Sequence, residues 1–428
     1  VYTLPQEDID EKTVLNSTII CQKMMDFYAK EFGSYPFTSY CLVFLPTLVM
    51  PTMEFASMTL CNTRLLSPPE MIDSMLTTTN HLAWSLATQW SGVNITPLEI
   101  NDIWCCLGMA GYMVFQLMKK ILGYNELKYR LKMNSEAIVE LDWEKPPIGE
   151  TFTNASRPIS WTSKDLDFIK LKAPMVLYIL DRRMVKTERS FGMSRVLPKI
   201  FLQAMSGDLS NNSLSTAHFQ YVCERVNRNK LEPFFQQWVY GSGVPIFRVT
   251  QRFNKKRMMV EMGIRQCQAQ ELGQDKVVGE DGFCSSSLGY MQHPNKNLTT
   301  CFTGSMTIRI HEADGTPYEH IVELKDVFTK IDIQYNTKYR RIRNKRLNAT
   351  KPTGKGMTPD ITEDSFTERV EGGVIQKLGN VLSGPNDCRE WNLTEHSVTT
   401  DGNEAQRQNE AFEWIRIDSD FEWVCKLY

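Results

Sequence analysis

Apolar positions follow a helical period up to about residue 240 and a two-residue period from there to about 335, then thin out into polar, turn-rich sequence. In 15–32, Ile19, Met24, Met25, Phe27 and Tyr28 recur roughly one helical turn apart, and Gly33 follows as a stop. The apolar density of 40–45 predicts a short buried strand. Further helices are predicted over 69–90, stopped by Ser91-Gly92, and over 103–122, stopped by Gly123. Helices make up the rest of this part, including 173–184, 194–205 and 216–226. Beyond Tyr240-Gly241-Ser242-Gly243-Val244-Pro245, short alternating runs at 246–249, 258–264 and 305–311 predict half-buried strands. The last of these pairs with 318–324 across Asp314-Gly315, a hairpin signal. Strands continue to about 335; 348–360 and much of 370–410 are polar, and two closing strands are expected at 412–417 and 421–425. The expectation is an α+β chain without internal repeats: a mostly helical domain over 1–243 and a β domain over 244–428.

Composition narrows the function classes. With 428 residues, 42% hydrophobic and 23% charged, the chain can close one large core or two ordinary ones. A net charge of -2 gives no bulk attraction for polyanions, so any nucleic-acid surface must be local. The charge is segregated: 241–351 holds 18 basic and 11 acidic residues, +7, whereas 352–428 holds 7 basic and 15 acidic, -8. Lys338, Arg340, Arg341, Arg343, Lys345, Arg346 and Lys351 form a run with no acid among them and Tyr339 inside it. Such a run neutralises phosphates, and it equally suits a solvated loop or a contact with an acidic protein surface. A smaller cluster, Arg252, Lys255, Lys256 and Arg257, falls in an expected hairpin and has the same two readings.

Eleven scattered cysteines, with no Cys-x-x-Cys pair, fit neither a zinc ribbon nor a disulfide framework. Seven Asn-x-Ser/Thr triplets, at Asn16, Asn94, Asn154, Asn211, Asn297, Asn348 and Asn392, would suit a glycoprotein, but the free-thiol pattern favours an intracellular setting. The opening stretch 3–10 is polar and acidic and predicts no signal peptide; no run is expected to reach the roughly 20 apolar residues of a membrane span. The six histidines, 81, 218, 293, 311, 320 and 396, include no pair three or four apart, which excludes a histidine metal pair in helical register. His81, beside Trp84 and Leu86, reads as a packed or capped histidine. There is no Gly-x-Ser-x-Gly elbow, no phosphate loop and no dinucleotide fingerprint. Cys105-Cys106 reads as packing on an apolar helix.

Several segments nevertheless fall into the order of one family. Pro51-Thr52-Met53-Glu54-Phe55, Trp84-Ser85-Leu86-Ala87-Thr88-Gln89-Trp90-Ser91-Gly92 and Asn101-Asp102-Ile103-Trp104-Cys105-Cys106-Leu107-Gly108-Met109-Ala110 succeed one another as do the landmarks of the gluzincin zinc aminopeptidases. Residues 15–245 resemble their thermolysin-like catalytic domain. In that family the matching motifs are Gly-x-Met-Glu-Asn, His-Glu-x-x-His-Gln-Trp-x-Gly, and a glutamate 19 residues after the second histidine. By that alignment Trp84, Thr88 and Leu107 stand at the three zinc-ligand positions and Ser85 at the general base. Lys170 stands where the family has its oxyanion-stabilising tyrosine, while Glu54, which there receives the substrate's amino group, is kept. Trp and Leu offer no ligand lone pair, threonine is a poor ligand, and a serine hydroxyl cannot take a proton from water near neutrality. The resemblance therefore implies a pseudoenzyme with no metal, no cofactor and no small-molecule substrate. Trp84 and Leu107 are expected to make the former ligand pocket apolar, with the helices over 71–90 and 103–122 packed directly together.

Leu171-Lys172-Ala173-Pro174-Met175-Val176-Leu177 through Arg183-Met184, and Asn409-Glu410-Ala411-Phe412-Glu413-Trp414-Ile415-Arg416, are similar to the aminopeptidase-like TBP-associated subunits of the general transcription factor TFIID. That resemblance implies a nuclear scaffold for RNA polymerase II preinitiation, corresponding to a middle portion of a longer protein. It would contact core-promoter DNA around the initiator and other TBP-associated subunits, notably the largest one and a histone-fold subunit, and no membrane. The basic residues at 338–346 and 252–257 become candidate phosphate contacts that position a duplex without reading it. A scaffold without direct DNA contact is the alternative, and an active zinc aminopeptidase a remote one.

Overall fold

The computed structural model describes residues 1–4, 9–142, 145–149, 163–185, 191–254, 257–268, 299–312, 317–334 and 412–428. After strand β1 (Tyr2–Thr3), the Asp10 side chain caps α1 (Glu11–Thr18), and α2 (Ile20–Phe32) follows; the predicted single helix is broken at Ile19. Gly33, at φ 113°, ends α2 where few other residues could. Strands β2 (Cys41–Leu45), β3 (Thr52–Phe55) and β4 (Met58–Asn62) join β1 in a sheet of order β1-β2-β4-β3. The first three in that order run parallel, and β3 lies antiparallel on the edge.

The helices that follow are α3 (Asp73–Trp90), α4 (Ile103–Leu122), α5 (Tyr124–Leu141), α6 (Ser163–Met184), α7 (Met193–Ser206), α8 (Thr216–Asn227) and α9 (Glu232–Trp238). Strand β5 (Thr96–Pro97) pairs in parallel with β6 (Ser213–Leu214). Helix α4 is the centre of the core: Trp104, Cys105, Cys106, Met109, Ala110, Met113, Leu117 and Met118 are all buried. Two glycines let α6 close on it. A Cβ at Gly111 would stand 2.2 Å from Pro174 Cγ, and one at Gly108 would stand 3.1 Å from Leu177 Cδ1. Helix α6 begins ten residues before the expected start at 173, carrying Pro174 within it. The expectation of no long apolar run needs correcting too. The stretch Ile100–Leu122 is long and apolar enough to cross a membrane by length and composition, but 67% of it is buried inside the protein, which makes it a core helix.

Strands begin at Pro245: β7 (Pro245–Asn254), β8 (Met259–Gln268), β9 (Gly304–Glu312), β10 (Pro317–Leu324), β11 (Phe328–Gln334), β12 (Phe412–Ile417) and β13 (Lys426–Leu427). They form two sheets, β10-β9-β12 and β11-β8-β7-β13. Each has one apolar face, Met306, Ile308 and Ile310 in the first and Val260, Met262 and Ile264 in the second. This is the mixed α+β architecture read from the sequence. The chain divides into two compact units, one of Val1–Ile310, Glu319–Gln334 and Ile415–Tyr428, the other of His311–Tyr318 and Tyr335–Trp414.

The strand expected at 421–425 is instead a buried irregular segment of the larger unit. Asp418 turns it by accepting hydrogen bonds from the N–H groups of Glu422 and Trp423. The Trp423 ring then meets Phe247 at 5.3 Å and Trp238 at 6.1 Å, and the Arg183 guanidinium lies 4.6 Å from its centroid. Asp420 bonds Lys128 of α5 at 3.1 Å and Arg309 of β9 at 2.5 Å. These apolar residues are therefore covered by joining helices to strands, which alternation along one strand could not reveal.

Candidate functional site

The site singled out by sequence lies where α3, α4 and α6 pack beside the edge strand β3. Glu54 projects from β3, and its Oε1 accepts from Ser85 Oγ of α3 at 2.8 Å and from Thr52 Oγ1 at 2.7 Å. Gln89, one turn beyond Ser85, clamps the next part of the edge: its Nε2 donates to Phe55 O and its Oε1 accepts from Ser57 N–H. The Thr88 hydroxyl donates back to the Ser85 carbonyl at 2.8 Å, a local bond that occupies it within the helix. Trp84 lies against Gly111, where a Cβ would come within 3.3 Å of its ring. Lys170 Nζ of α6 stands 5.8 Å from the Trp84 ring centroid, a cation–π contact.

His81, one turn before Ser85, shares this field. Burial lowers its pKa from the ordinary value; Glu54 pulls the other way and Lys170 adds to the lowering. The structure thus brings Glu54, Ser85, Thr88, Trp84 and Lys170 together and adds Thr52, His81 and Gln89. Leu107 sits on α4, half-buried. The expected apolar filling is only partial: Trp84 is also half-buried, and the Glu54–Ser85 bond is polar.

These residues do not fit a zinc ion. The indole of Trp84 and the alkyl chain of Leu107 cannot coordinate, the Thr88 hydroxyl is turned to a carbonyl, and the Lys170 ammonium would repel a second cation. Among the described residues no group of three or more His, Cys, Asp or Glu converges to hold a metal. The Asn-Asp-x-Trp stretch has become structural. Asp102 accepts from Thr216 N–H at 2.8 Å and from its hydroxyl at 2.7 Å, and Trp104 Nε1 donates to that hydroxyl, fixing the start of α8 on α4. Burial raises the thiol pKa of Cys105 well above the usual value and that of Cys106 to about 12, which leaves both as neutral packing groups.

Of the basic candidates, Lys338, Arg340, Arg341, Arg343, Lys345, Arg346, Lys255 and Lys256 lie outside the described residues. Arg252 and Arg257 are exposed, with Glu261 at 4.0 Å from the first and Asp332 at 3.7 Å from the second.

Two family profiles match in succession: the peptidase family M1 domain over residues 17–158, and the TAF2 Ig-like domain over residues 242–428. Over its whole length the chain is 65% identical to transcription initiation factor TFIID subunit 2 of Saccharomyces cerevisiae and 44% identical to that of Schizosaccharomyces pombe. The chain belongs to the TFIID subunit 2 family. It spans 30% and 35% of those two relatives' lengths. Among solved structures, aminopeptidase A of Legionella pneumophila aligns with 78% of this chain and 33% of its own, at a TM-score of 0.53 and 12% identity, a likeness of fold alone. The chain shares the M1 fold, and Trp84, Thr88 and Leu107 cannot together hold a metal.

Proposed function

We propose that this chain serves as a structural part of TFIID in the nucleus, supporting assembly with other TBP-associated subunits on core-promoter DNA. The observation that carries this reading is a peptidase-like frame kept intact around Trp84, Thr88 and Leu107, in a chain 65% identical to a subunit named as a transcription initiation factor. The largest subunit and a histone-fold subunit are the proposed protein partners. We propose further that 1–243 and 244–428 are its two domains, a division supported by the separate matches over 17–158 and 242–428.

Direct DNA contact is proposed for the run Lys338 to Arg346, whose charge density suits a phosphate backbone. Reversing Arg340, Arg341 and Arg343 to Glu is expected to weaken binding of promoter duplex and to flatten its salt dependence, by roughly 0.9 in log–log slope for each phosphate no longer neutralised. Unchanged affinity at low salt would remove DNA binding from this run. It would favour the second reading, a scaffold that touches only protein, for which the Arg252–Glu261 and Arg257–Asp332 pairs speak because they occupy two of the candidate arginines.

A further inference from the structure

The β11-β8-β7-β13 sheet has one apolar face turned inward and a second face whose composition the packing does not explain. Strand register places Phe328 beside Arg265, and Arg265 beside Arg248. Tyr428 falls next in that row: its N–H donates to Phe247 O and its carbonyl accepts from Val249 N–H, which sets it alongside Arg248. The sheet is thus crossed by an aromatic–Arg–Arg–aromatic row, with the two aromatic positions three strand spacings, about 14 Å, apart along the backbone. The neighbouring row is Lys330, Gly263 and Thr250, and Lys426 lies beyond the other side of the first, its ammonium 4.8 Å from the Tyr428 ring centroid.

Phe328 is 58% exposed and Tyr428 47%. Arg265, Lys330 and Lys426 are exposed as well. Two acids share this face, Glu261 and Asp332, and each is approached by an arginine, Arg252 and Arg257. The surplus of positive charge therefore gathers around the aromatic row. Part of Phe328 has a structural explanation. Its ring reaches over Gly263, where a Cβ would come within 3.3 Å of it, the kind of cover an aromatic gives a glycine in a sheet. The residue as a whole remains exposed.

We infer that this face binds single-stranded DNA, with Arg265, Lys330 and Lys426 on the phosphates and Phe328 and Tyr428 as stacking platforms for bases. Cations alone would serve a duplex or an acidic peptide equally well. A duplex turns its base faces inward and a peptide has none, so exposed rings set in a row with arginines favour an unpaired strand. The choice of DNA over RNA rests on the TFIID reading above; the face and its chemistry do not.

The test is fluorescence anisotropy with the full chain and labelled oligo-thymidylate, oligo-uridylate, a DNA duplex of equal length and polyglutamate, across a salt series. Oligo-thymidylate is expected to bind tightest. The pair Arg265→Glu, Lys330→Glu should weaken it at least about tenfold and lower the salt slope by about 1.4. Phe328→Leu, which keeps an apolar cover over Gly263 but removes the π face, should weaken it about tenfold with the slope unchanged. Lys23→Glu, an exposed charge reversal on α2, should do neither, and circular dichroism should show every variant folded. Tighter binding of duplex or polyglutamate, or indifference to Phe328→Leu in a folded protein, overturns the assignment. Tighter binding of oligo-uridylate overturns the choice of DNA. Since Arg340, Arg341 and Arg343 stay intact throughout, failure here is distinct from failure of the phosphate contact proposed for that run.

Discussion

At Gly111 α4 lies tight against Pro174 of α6, and replacing it with alanine tests whether the core beneath the candidate site is as close-packed as the geometry says. The new Cβ would meet Pro174 Cγ at 2.2 Å and Pro174 Cβ at 2.7 Å. Ordinary contact begins near 3.4 Å, so the helices must separate by about 1 Å, because a proline ring cannot rotate aside. Overpacking of this kind costs about 1–3 kcal/mol, and a rigid obstacle puts it at the upper end. Alanine in a helix offsets about 1 kcal/mol of that through backbone entropy. The net expectation for Gly111→Ala is about 2 kcal/mol of destabilisation. Gly108→Ala is the internal control: its Cβ would meet Leu177 Cδ1 at 3.1 Å and the Ala173 carbonyl at 3.3 Å, so a shift of a few tenths of an ångström is offset in part by the helix gain and the net cost should stay below that of Gly111→Ala. Urea unfolding followed by far-ultraviolet circular dichroism measures both. If the two variants unfold alike, or Gly111→Ala matches the parent, close α4–α6 packing at Pro174 is refuted.

The remaining predictions concern charge. His81 is expected to titrate below its ordinary value in an NMR series; Lys170→Ala should move it up and Glu54→Gln down, and no movement in either would deny that the three side chains share a pocket. Because that pKa is lowered in the fold, the stability tied to neutral His81 is present above about pH 6.5 and is lost as pH falls through the folded value. Burial would push Asp420 up, but its bonds to Lys128 and Arg309 hold it below the usual carboxylate range, so its contribution is present above about pH 4 and is lost on acidification through the folded value. Asp420→Asn should cost about 2 kcal/mol near neutrality and flatten stability below about pH 4, measured by chemical unfolding at several pH values; an unchanged acid limb would rule this pair of bonds out as its source.

What could be read from sequence was whatever periodicity and glycine stops encode. Helix α4 falls on Ile103–Leu122 as expected because an apolar period runs unbroken into Gly123, whose φ of 88° ends it. Helix α5 falls in the part expected to be helical, but its bounds are blurred by charge: Leu127, Leu131 and Ile138 form its buried apolar spine amid Lys and Glu. Strands β3 and β4 were missed because they are only four and five residues long and turn at Ser57, a non-glycine residue at φ 60°. At the candidate site, the residue types alone show that Trp84 and Leu107 offer a metal no lone pair. The Ser85–Glu54 bond is not legible in them, because it joins residues 31 apart on different elements. Gln89 carried the nearest signal: it falls in the Gln-Trp pair that followed the motif intact, and it holds the β3 edge.

Trp423, the ring nearest the Arg183 guanidinium, comes from outside the helices that surround Arg183 in sequence. The Nε and Nη2 of that guanidinium are buried with no hydrogen-bond partner among the described residues, so three rings stand where acceptors would: Phe234 at 5.1 Å, Trp238 at 5.7 Å and Trp423 at 4.6 Å. Two walls of this cage come from α9 and the third from 418–428, so removing that last segment would open one side of a desolvated cation to water.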